Sequence, residues 1–239
     1  MKSLSWLLRG VLALGGVILA VQAWPVTRGA WEAQKADTVV TKLRHFSELR
    51  GGQPATLSDV IAGIGALDRA VAADPVAGLY LLRSELVAGA ALAPDLGISL
   101  DQRIAWLRSA ESDLVAGLGN APARGVAWGR LAAVRQGLQG TSRGVVDALI
   151  MSIDTSPMLS SLWVARLQMI SDNWVAFTPK EREQLGAYVV RTWRSSTDRY
   201  LFTYAIRSPI DELLIRYFLR DEPKAQDELA ALLARKNPK

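Results

Sequence analysis

His45 is the one histidine of the 239-residue chain, and an imidazole that titrates near neutral pH is the most versatile catalytic side chain. Every catalytic use of it needs company. A nucleophilic triad needs a hydroxyl or thiol and an orienting acid, and a zinc site needs further His or Cys ligands. The chain has no cysteine and no second histidine, so His45 is read as a surface or packing residue on a polar helix. The carboxylate pairs Glu111/Asp113 and Asp221/Glu222 lie too close in sequence to share one helix face. Distant acids gathered by the fold would be needed for glycoside chemistry, and spacing does not address them. Gly63-Ile64-Gly65 and Gly117-Leu118-Gly119 lack the strand-loop-helix setting of a phosphate loop, and no Gly-Lys-Ser/Thr occurs. Tight helix crossings or caps account for those glycines. The expectation is a protein with no catalytic residue, no cofactor and no metal; a glycan-active enzyme outside the cytoplasm is the alternative.

Binding is the chemistry that remains. Trp174, Trp193, Arg194, Tyr200 and Tyr204 crowd the C-terminal half, with Tyr217 beyond them. Aromatic faces beside a guanidinium can hold sugar rings or anchor a partner peptide. The competing explanation is that Trp and Tyr fill the core and keep their polar ends at its rim.

Helix punctuation recurs along the chain. An amphipathic stretch from Ala30 to Leu49 stops at Gly51-Gly52-Gln53-Pro54. Thr56 offers an N-cap with Asp59 three residues on, and its helix runs to Ala73. Pro75 opens the next, to about Leu92, and Pro94 to Gly97 forms a loop. Ser99 caps a helix whose Leu100, Ile104, Leu107, Leu114 and Leu118 trace an apolar stripe. Further helices are predicted over Arg124–Leu138, Arg143–Ile153, Met158–Ser171, Lys180–Trp193, Asp198–Ile206, Pro209–Leu219 and Pro223–Arg235. Thr178-Pro179 and Ser208-Pro209 each place a capping hydroxyl before a proline at the first helical position, with acids in the following turn. Helix follows helix through short loops, so the predicted fold is all-α.

The N-terminus gives the chain an address. Lys2 and Arg9 frame the apolar run Gly10–Val21, and no charge appears again until Arg28. One alternative is a signal peptide cut after Val21-Gln22-Ala23. The other, favoured here, is an uncleaved transmembrane anchor from Leu4 to Trp24, long enough for about 30 Å of hydrocarbon, with Trp6 and Trp24 at the two interfaces. A bulky Trp24 followed by Pro25 makes a poor start for a mature chain. Gly16 and Ala20, four apart, would let two such spans approach closely. Either alternative carries the body of the chain across the cytoplasmic (inner) membrane. The expected organisation is an anchor over 1–24, a juxtamembrane helix and linker over 25–55, and a helical-repeat-like domain over 56–239.

Composition agrees with one extracytoplasmic, periplasmic domain. Half the residues are hydrophobic, and the net charge of +5 comes from Arg mixed with Asp and Glu. No Lys/Arg block resembles a nucleic-acid arm, which argues against that partner class, whereas anionic lipid or acidic glycan is compatible. The absence of cysteine excludes disulfide staples and thiolate metal sites without fixing the compartment.

Two intervals suggest a repeat. Pro122 precedes Trp128 by six residues and Pro157 precedes Trp163 by six; these copies lie 35 residues apart (157 − 122). With Leu131 and Ala132 after Trp128, and Ala70 five before Pro75, the region from Leu57 to Asn173 resembles a degenerate tetratricopeptide array. One helical hairpin cannot bury its apolar face alone, and stacked hairpins give a continuous core. The sequence departs from that pattern where Arg135 replaces an aromatic, where Arg166 replaces Leu, and in a first interval of 47 residues (122 − 75). A non-repeating helical bundle is the competing fold.

The layout of one N-terminal span and a degenerate helical-repeat domain also resembles a group of small bacterial envelope proteins associated with surface polysaccharide assembly. The residues behind the resemblance are Trp128-Gly129-Arg130-Leu131-Ala132, Ser156-Pro157 leading to Trp163 and Arg166, and a helix ending at Trp193-Arg194. It implies an accessory role in polymer export or assembly and brings no active-site residue. The expected function is that of a membrane-anchored scaffold or adaptor for an envelope protein partner, with a glycan-binding module as the alternative.

Overall fold

The computed structural model describes the backbone of residues 2–47 and 55–236, and the side chains of 14–43 and 55–236. His45, Lys2 and Arg9 therefore lie outside the described side chains. Among the described residues the chain is all-α, with no strand. It divides into two compact units, 1–121 and 122–239. The boundary thus falls at Ala121/Pro122, inside the stretch expected to form one domain from 56 onward.

The first unit holds α1 (Lys2–Ser47), α2 (Leu57–Ala73), α3 (Ala77–Leu92) and α4 (Leu100–Asn120). One helix runs on from the residues expected as an anchor into those expected as a juxtamembrane helix. α1 is one 46-residue helix that passes through Pro25, roughly 69 Å long at 1.5 Å per residue. Proline removes one i→i−4 hydrogen bond, and the Thr27 hydroxyl nearby donates to the carbonyls of Ala23 (3.1 Å) and Trp24 (3.0 Å).

From Gly29 onward α1 is built into the unit. Gly29 is buried, and a Cβ there would stand 3.1 Å from the Asp74 Cβ. Beyond it Ala36, Val39 and Val40 pack with Val60 and Leu67 of α2 and with Leu86 and Ala90 of α3. The stretch expected to be a juxtamembrane helix thereby contributes to the core. Before Gly29 the same helix exposes Leu14, Val17, Ile18, Leu19, Val21, Trp24 and Val26. Among the described residues no helix is long and apolar enough to cross a membrane; the first thirteen side chains, which include much of the expected span, lie outside them.

Local signals fix the other helix starts. Thr56 Oγ1 accepts from the Asp59 N–H at 3.2 Å while the Asp59 carboxylate accepts from the Thr56 N–H at 3.1 Å, a reciprocal capping box. Those bonds from Thr56, joined by Lys42 of α1, hold the Asp59 carboxyl below its ordinary range. Ser99 caps α4 by accepting from the Gln102 N–H. The stripe expected on α4 holds in part: Leu107, Leu114 and Leu118 are buried, and Leu100 is exposed. Pro75 does not open α3, which starts two residues later behind Val76. Gly63 and Gly117 mark helix crossings, since a Cβ would meet Leu86 at 2.9 Å and Leu81 at 2.5 Å.

The second unit holds α5 (Gly125–Gln139), α6 (Arg143–Thr155), α7 (Trp163–Asp172), α8 (Pro179–Ser195), α9 (Leu201–Ala205), α10 (Pro209–Phe218) and α11 (Pro223–Lys236). α5, α7 and α9 begin at 125, 163 and 201, steps of 38 residues (163 − 125 and 201 − 163). Polar bonds join residues about one such step apart: Gln136 to Asp172 at 3.2 Å, Arg143 to Glu181 at 2.9 Å, and Gln168 to the Tyr204 carbonyl at 3.1 Å. The two tryptophans expected to be equivalent occupy different settings. Trp163 is buried at the start of α7, whereas half-buried Trp128 sits a turn inside α5 and donates to the Pro122 carbonyl at 2.8 Å.

Candidate binding surface

The positions of α8 and α10 are set by two further capping boxes. Thr178 pairs with Glu181 behind Pro179, and Ser208 pairs with Asp211 behind Pro209. Hydrogen bonds from Arg143 are the main cause that brings the Glu181 carboxyl down to about 2, with the Thr178 cap adding to them. Asp211 is buried. Burial would raise its pKa, but bonds from the Ser171 hydroxyl, the Arg207 N–H and the Ser208 cap, with the charge of Arg207, outweigh it and lower the carboxyl. Asp211 therefore ties α10 to the end of α7.

The 3-10 turn Trp174–Ala176, between α7 and α8, lies against α10. Trp174 meets Phe218 edge-on at 5.4 Å, and the Arg182 guanidinium stands 4.8 Å over the Trp174 ring. In the same cleft Arg220 stands 4.4 Å over Tyr217. Trp174, Arg182, Gly186, Tyr217, Phe218 and Arg220 line a space of about 560 Å³, with Glu183 and Asp221 also on its wall. Asp221 lies 3.6 Å from Arg220, and Arg182 Nε is buried without a hydrogen-bond partner among the described residues. Trp174 and Tyr217 also border a second groove, of about 500 Å³, lined by Ile210, Leu213, Leu214 and Ser171.

The structure does not gather the five sequence-derived binding residues at one place. Trp174 is at the cleft just described. Trp193 is a core residue, 3% exposed and packed edge-on against Phe202 at 4.8 Å, because it falls on the inner stripe of α8 with Leu185 and Val189. That corrects its expected place on a binding surface. Arg194 is exposed and ion-paired to Glu222. Tyr200 and Tyr204 meet edge-to-face at 5.4 Å; Tyr200 borders a separate polar hollow with Arg199 and Glu228, and Tyr204 is exposed. Sequence reasoning did not single out Arg182, Arg220, Ile210 or Leu213. The apolar spacing 210, 213, 214, 217 is visible as a helix stripe, but nothing in it says which of the two α10 stripes faces solvent.

Acids elsewhere are engaged in structure. The buried Asp113 accepts two bonds from Arg83, at 2.6 and 2.7 Å, and Arg83 reaches Asp68 at 2.8 Å. Glu32 accepts from Lys35 (2.9 Å) and Arg69 (3.2 Å). Among the described residues no cluster of His, Cys, Asp and Glu could hold a metal ion. Comparison of the chain with family models, with curated proteins and with solved structures finds no match.

Proposed function

We propose that this chain is a membrane-anchored scaffold of the bacterial envelope, in which α1 fixes a helical-repeat-like domain at the outer face of the cytoplasmic membrane. One observation carries the proposal. A single continuous helix is apolar and exposed over Leu14–Val26, then buried into a core from Gly29 onward. Apolar side chains on several faces of a projecting helix need a cover, and each large one gains roughly 1.5–3 kcal/mol when removed from water. Lipid covers all faces at once. Trp24 sits where the apolar stretch ends, and Arg28 follows it, an order suited to an interface.

A cut after Ala23 would fall in the middle of this helix, which favours the uncleaved anchor. The steps of 38 residues between α5, α7 and α9 support a degenerate repeat of helical hairpins, and such stacks act by presenting grooves. The ion-paired states of Asp113, Glu181, Asp211 and Glu222 favour binding over acid–base catalysis. By its resemblance in layout, the scaffold serves surface polysaccharide assembly or export, and its anchor raises the local concentration of that machinery.

Alkaline extraction and a C-terminal reporter test the proposal. The protein should stay in the membrane pellet after alkaline carbonate washing, and a reporter active only outside the cytoplasm should work when fused after Lys239. Release into the supernatant, or a reporter that works only inside, overturns it.

A further inference from the structure

One face of α1 changes character along the helix. Val17, Val21, Trp24, Arg28, Trp31 and Lys35 follow one another at alternating intervals of four and three residues, the spacing of a single helix face. All six are exposed, Trp24 at 66% and Trp31 at 65%. The buried stripe of the same helix, Gly29, Glu32, Ala36 and Val40, packs into the first unit beside it. The open face is therefore aliphatic at its start, and beyond Val21 tryptophan alternates with a cation.

The cations of this flank exceed its acids. Arg28 holds no ion pair among the described residues. Lys35 stands 5.8 Å over the Trp31 ring and donates to Glu32 at 2.9 Å. Arg69 of α2 reaches the same carboxylate at 3.2 Å and stays more than half exposed. Glu32 is buried, so two cations share one covered acid. Asp74 meets α1 at the buried Gly29, on the packed side, and Asp37, two residues past Lys35, falls on the far side of the helix.

We propose that this face binds anionic phospholipid headgroups, with Trp24 and Trp31 entering the headgroup layer and Arg28, Lys35 and Arg69 meeting phosphates. Indoles favour that layer because it covers the ring and leaves the N–H wet, and each Arg or Lys near an anionic surface is worth about fivefold in binding. Continuity selects lipid over other polyanions: Val17 and Val21 open the same face, so the cover of Trp31 adjoins the cover of the apolar stretch. An upright helix would not make this contact. Trp31 lies roughly 10 Å beyond Trp24 at 1.5 Å per residue, past a headgroup layer of roughly 5–8 Å. α1 therefore leans, lowering this face onto the membrane and orienting the first unit against it. The inference rests on the anchor reading and adds a second, charge-selective membrane contact.

Photocrosslinking of the full chain tests it, in vesicles of equal phosphatidylcholine and phosphatidylglycerol with one lipid or the other tritiated. Benzoylphenylalanine replaces either Trp31 or Ala30, which is exposed, one residue earlier and about 100° round the helix. The probe at 31 should capture phosphatidylglycerol at least about fivefold more than phosphatidylcholine, and at least about fivefold more than the probe at 30 does. Arg28→Gln with Lys35→Gln, both at exposed positions, should bring capture of the two lipids at 31 to within about twofold, with the helical circular dichroism unchanged. Equal capture of both lipids, equal capture from 30 and 31, or indifference to the double substitution overturns the inference. A probe at 31 that captures a second copy of the chain instead of lipid would reassign the face to self-association. Retention in the alkaline pellet without selective capture refutes this inference alone, whereas release from the pellet refutes the anchor reading.

Discussion

Arg166 and Ser152 are joined through the core of the second unit: Arg166 Nη2 and Nε reach the Ser152 hydroxyl at 3.0 and 3.2 Å, and Nη2 also donates to the Ser152 carbonyl. Nη1 donates to the Ser156 carbonyl at 2.8 Å. This arginine is 1% exposed, and these partners, like the Tyr188 hydroxyl, are neutral. Ser152 and Ser156 lie at the C-terminal end of α6, where unpaired carbonyls give the helix a partial negative charge. Ser152 passes the link on by donating to the Gly125 carbonyl of α5 at 2.7 Å. One arginine thereby sets a polar clasp between α7, α6 and α5 where a helical repeat would place a hydrophobic contact.

Replacing Arg166 by Met keeps much of the volume and removes every donor. The Ser152 and Ser156 carbonyls would keep only the Ser156 N–H (3.3 Å) and the Leu159 N–H (3.4 Å), and no charge is stranded because these partners are neutral, so the second unit should lose about 1–3 kcal/mol. Arg166→Lys should recover only part, because an ammonium cannot span both carbonyls as a planar fork does. Urea unfolding followed by circular dichroism measures both, and a loss below about 1 kcal/mol for Arg166→Met would show the clasp to be dispensable.

In the first unit Arg83 bridges α2, α3 and α4 by contacting Asp68 and Asp113. The bonds with Asp113 are the largest cause of its raised guanidinium pKa. Asp113 is 3% exposed, so Arg83→Ala strands a buried carboxylate and should cost about 3–5 kcal/mol. Asp68, more than half exposed, should cost under about 1 kcal/mol when truncated to Ala. Equal losses at Arg83 and Asp68 in urea titrations would contradict this ranking.

The two tryptophans of the expected repeat should behave differently. Trp163 is buried, and truncation to Ala should cost about 3–5 kcal/mol. Half-buried Trp128, bonded to the Pro122 carbonyl, should cost about 1–2 kcal/mol. Reversal of that order in denaturant unfolding would mean that burial does not decide their roles.

Acid should act on the second unit through Glu181 and Asp211. Both carboxyls are held below their ordinary values of 4.5 and 3.8, Glu181 at about 2. A lowered folded-state pKa gives stability that is complete above the unfolded value and is lost as pH falls through the folded one. The Glu181 contribution should therefore fade between about 4.5 and about 2. Glu181→Gln should flatten the pH dependence of the melting temperature in that window, and an unchanged slope would contradict the assignment.

Much of the helical framework was legible in the sequence because its signals are local. Thr56 with Asp59, Ser99, Thr178 with Glu181 and Ser208 with Asp211 each announce a helix start within four residues. Orientation was not legible. In α10 the capping Asp211 is buried and Ile210 beside it is exposed, the opposite of what hydrophobicity suggests, because the Ser171 hydroxyl and two backbone N–H groups satisfy the carboxylate. Arg166 reads as a departure from a repeat until the α6 carbonyls are seen around it. Pro25 follows the expected anchor directly, and one missing hydrogen bond does not end a helix whose later half is locked into a core. Of the cleft's aromatic and arginine residues only Trp174 and Tyr217 stood out in the sequence, since nothing in the spacing says that Arg182 and Arg220 stand over their rings.

The anchored-scaffold account is tested most directly by single cysteines along α1, which the cysteine-free chain receives without background labelling. Val17→Cys and Val21→Cys probe the exposed apolar stretch, and Ala30→Cys and Gln34→Cys probe exposed positions on the built-in half of the helix. A membrane-impermeant maleimide applied to intact spheroplasts should label positions 30 and 34 and leave 17 and 21 unlabelled until the protein is unfolded in detergent. Labelling at 17 and 21 in intact spheroplasts, or labelling at 30 and 34 only after the membrane is breached, would contradict the account.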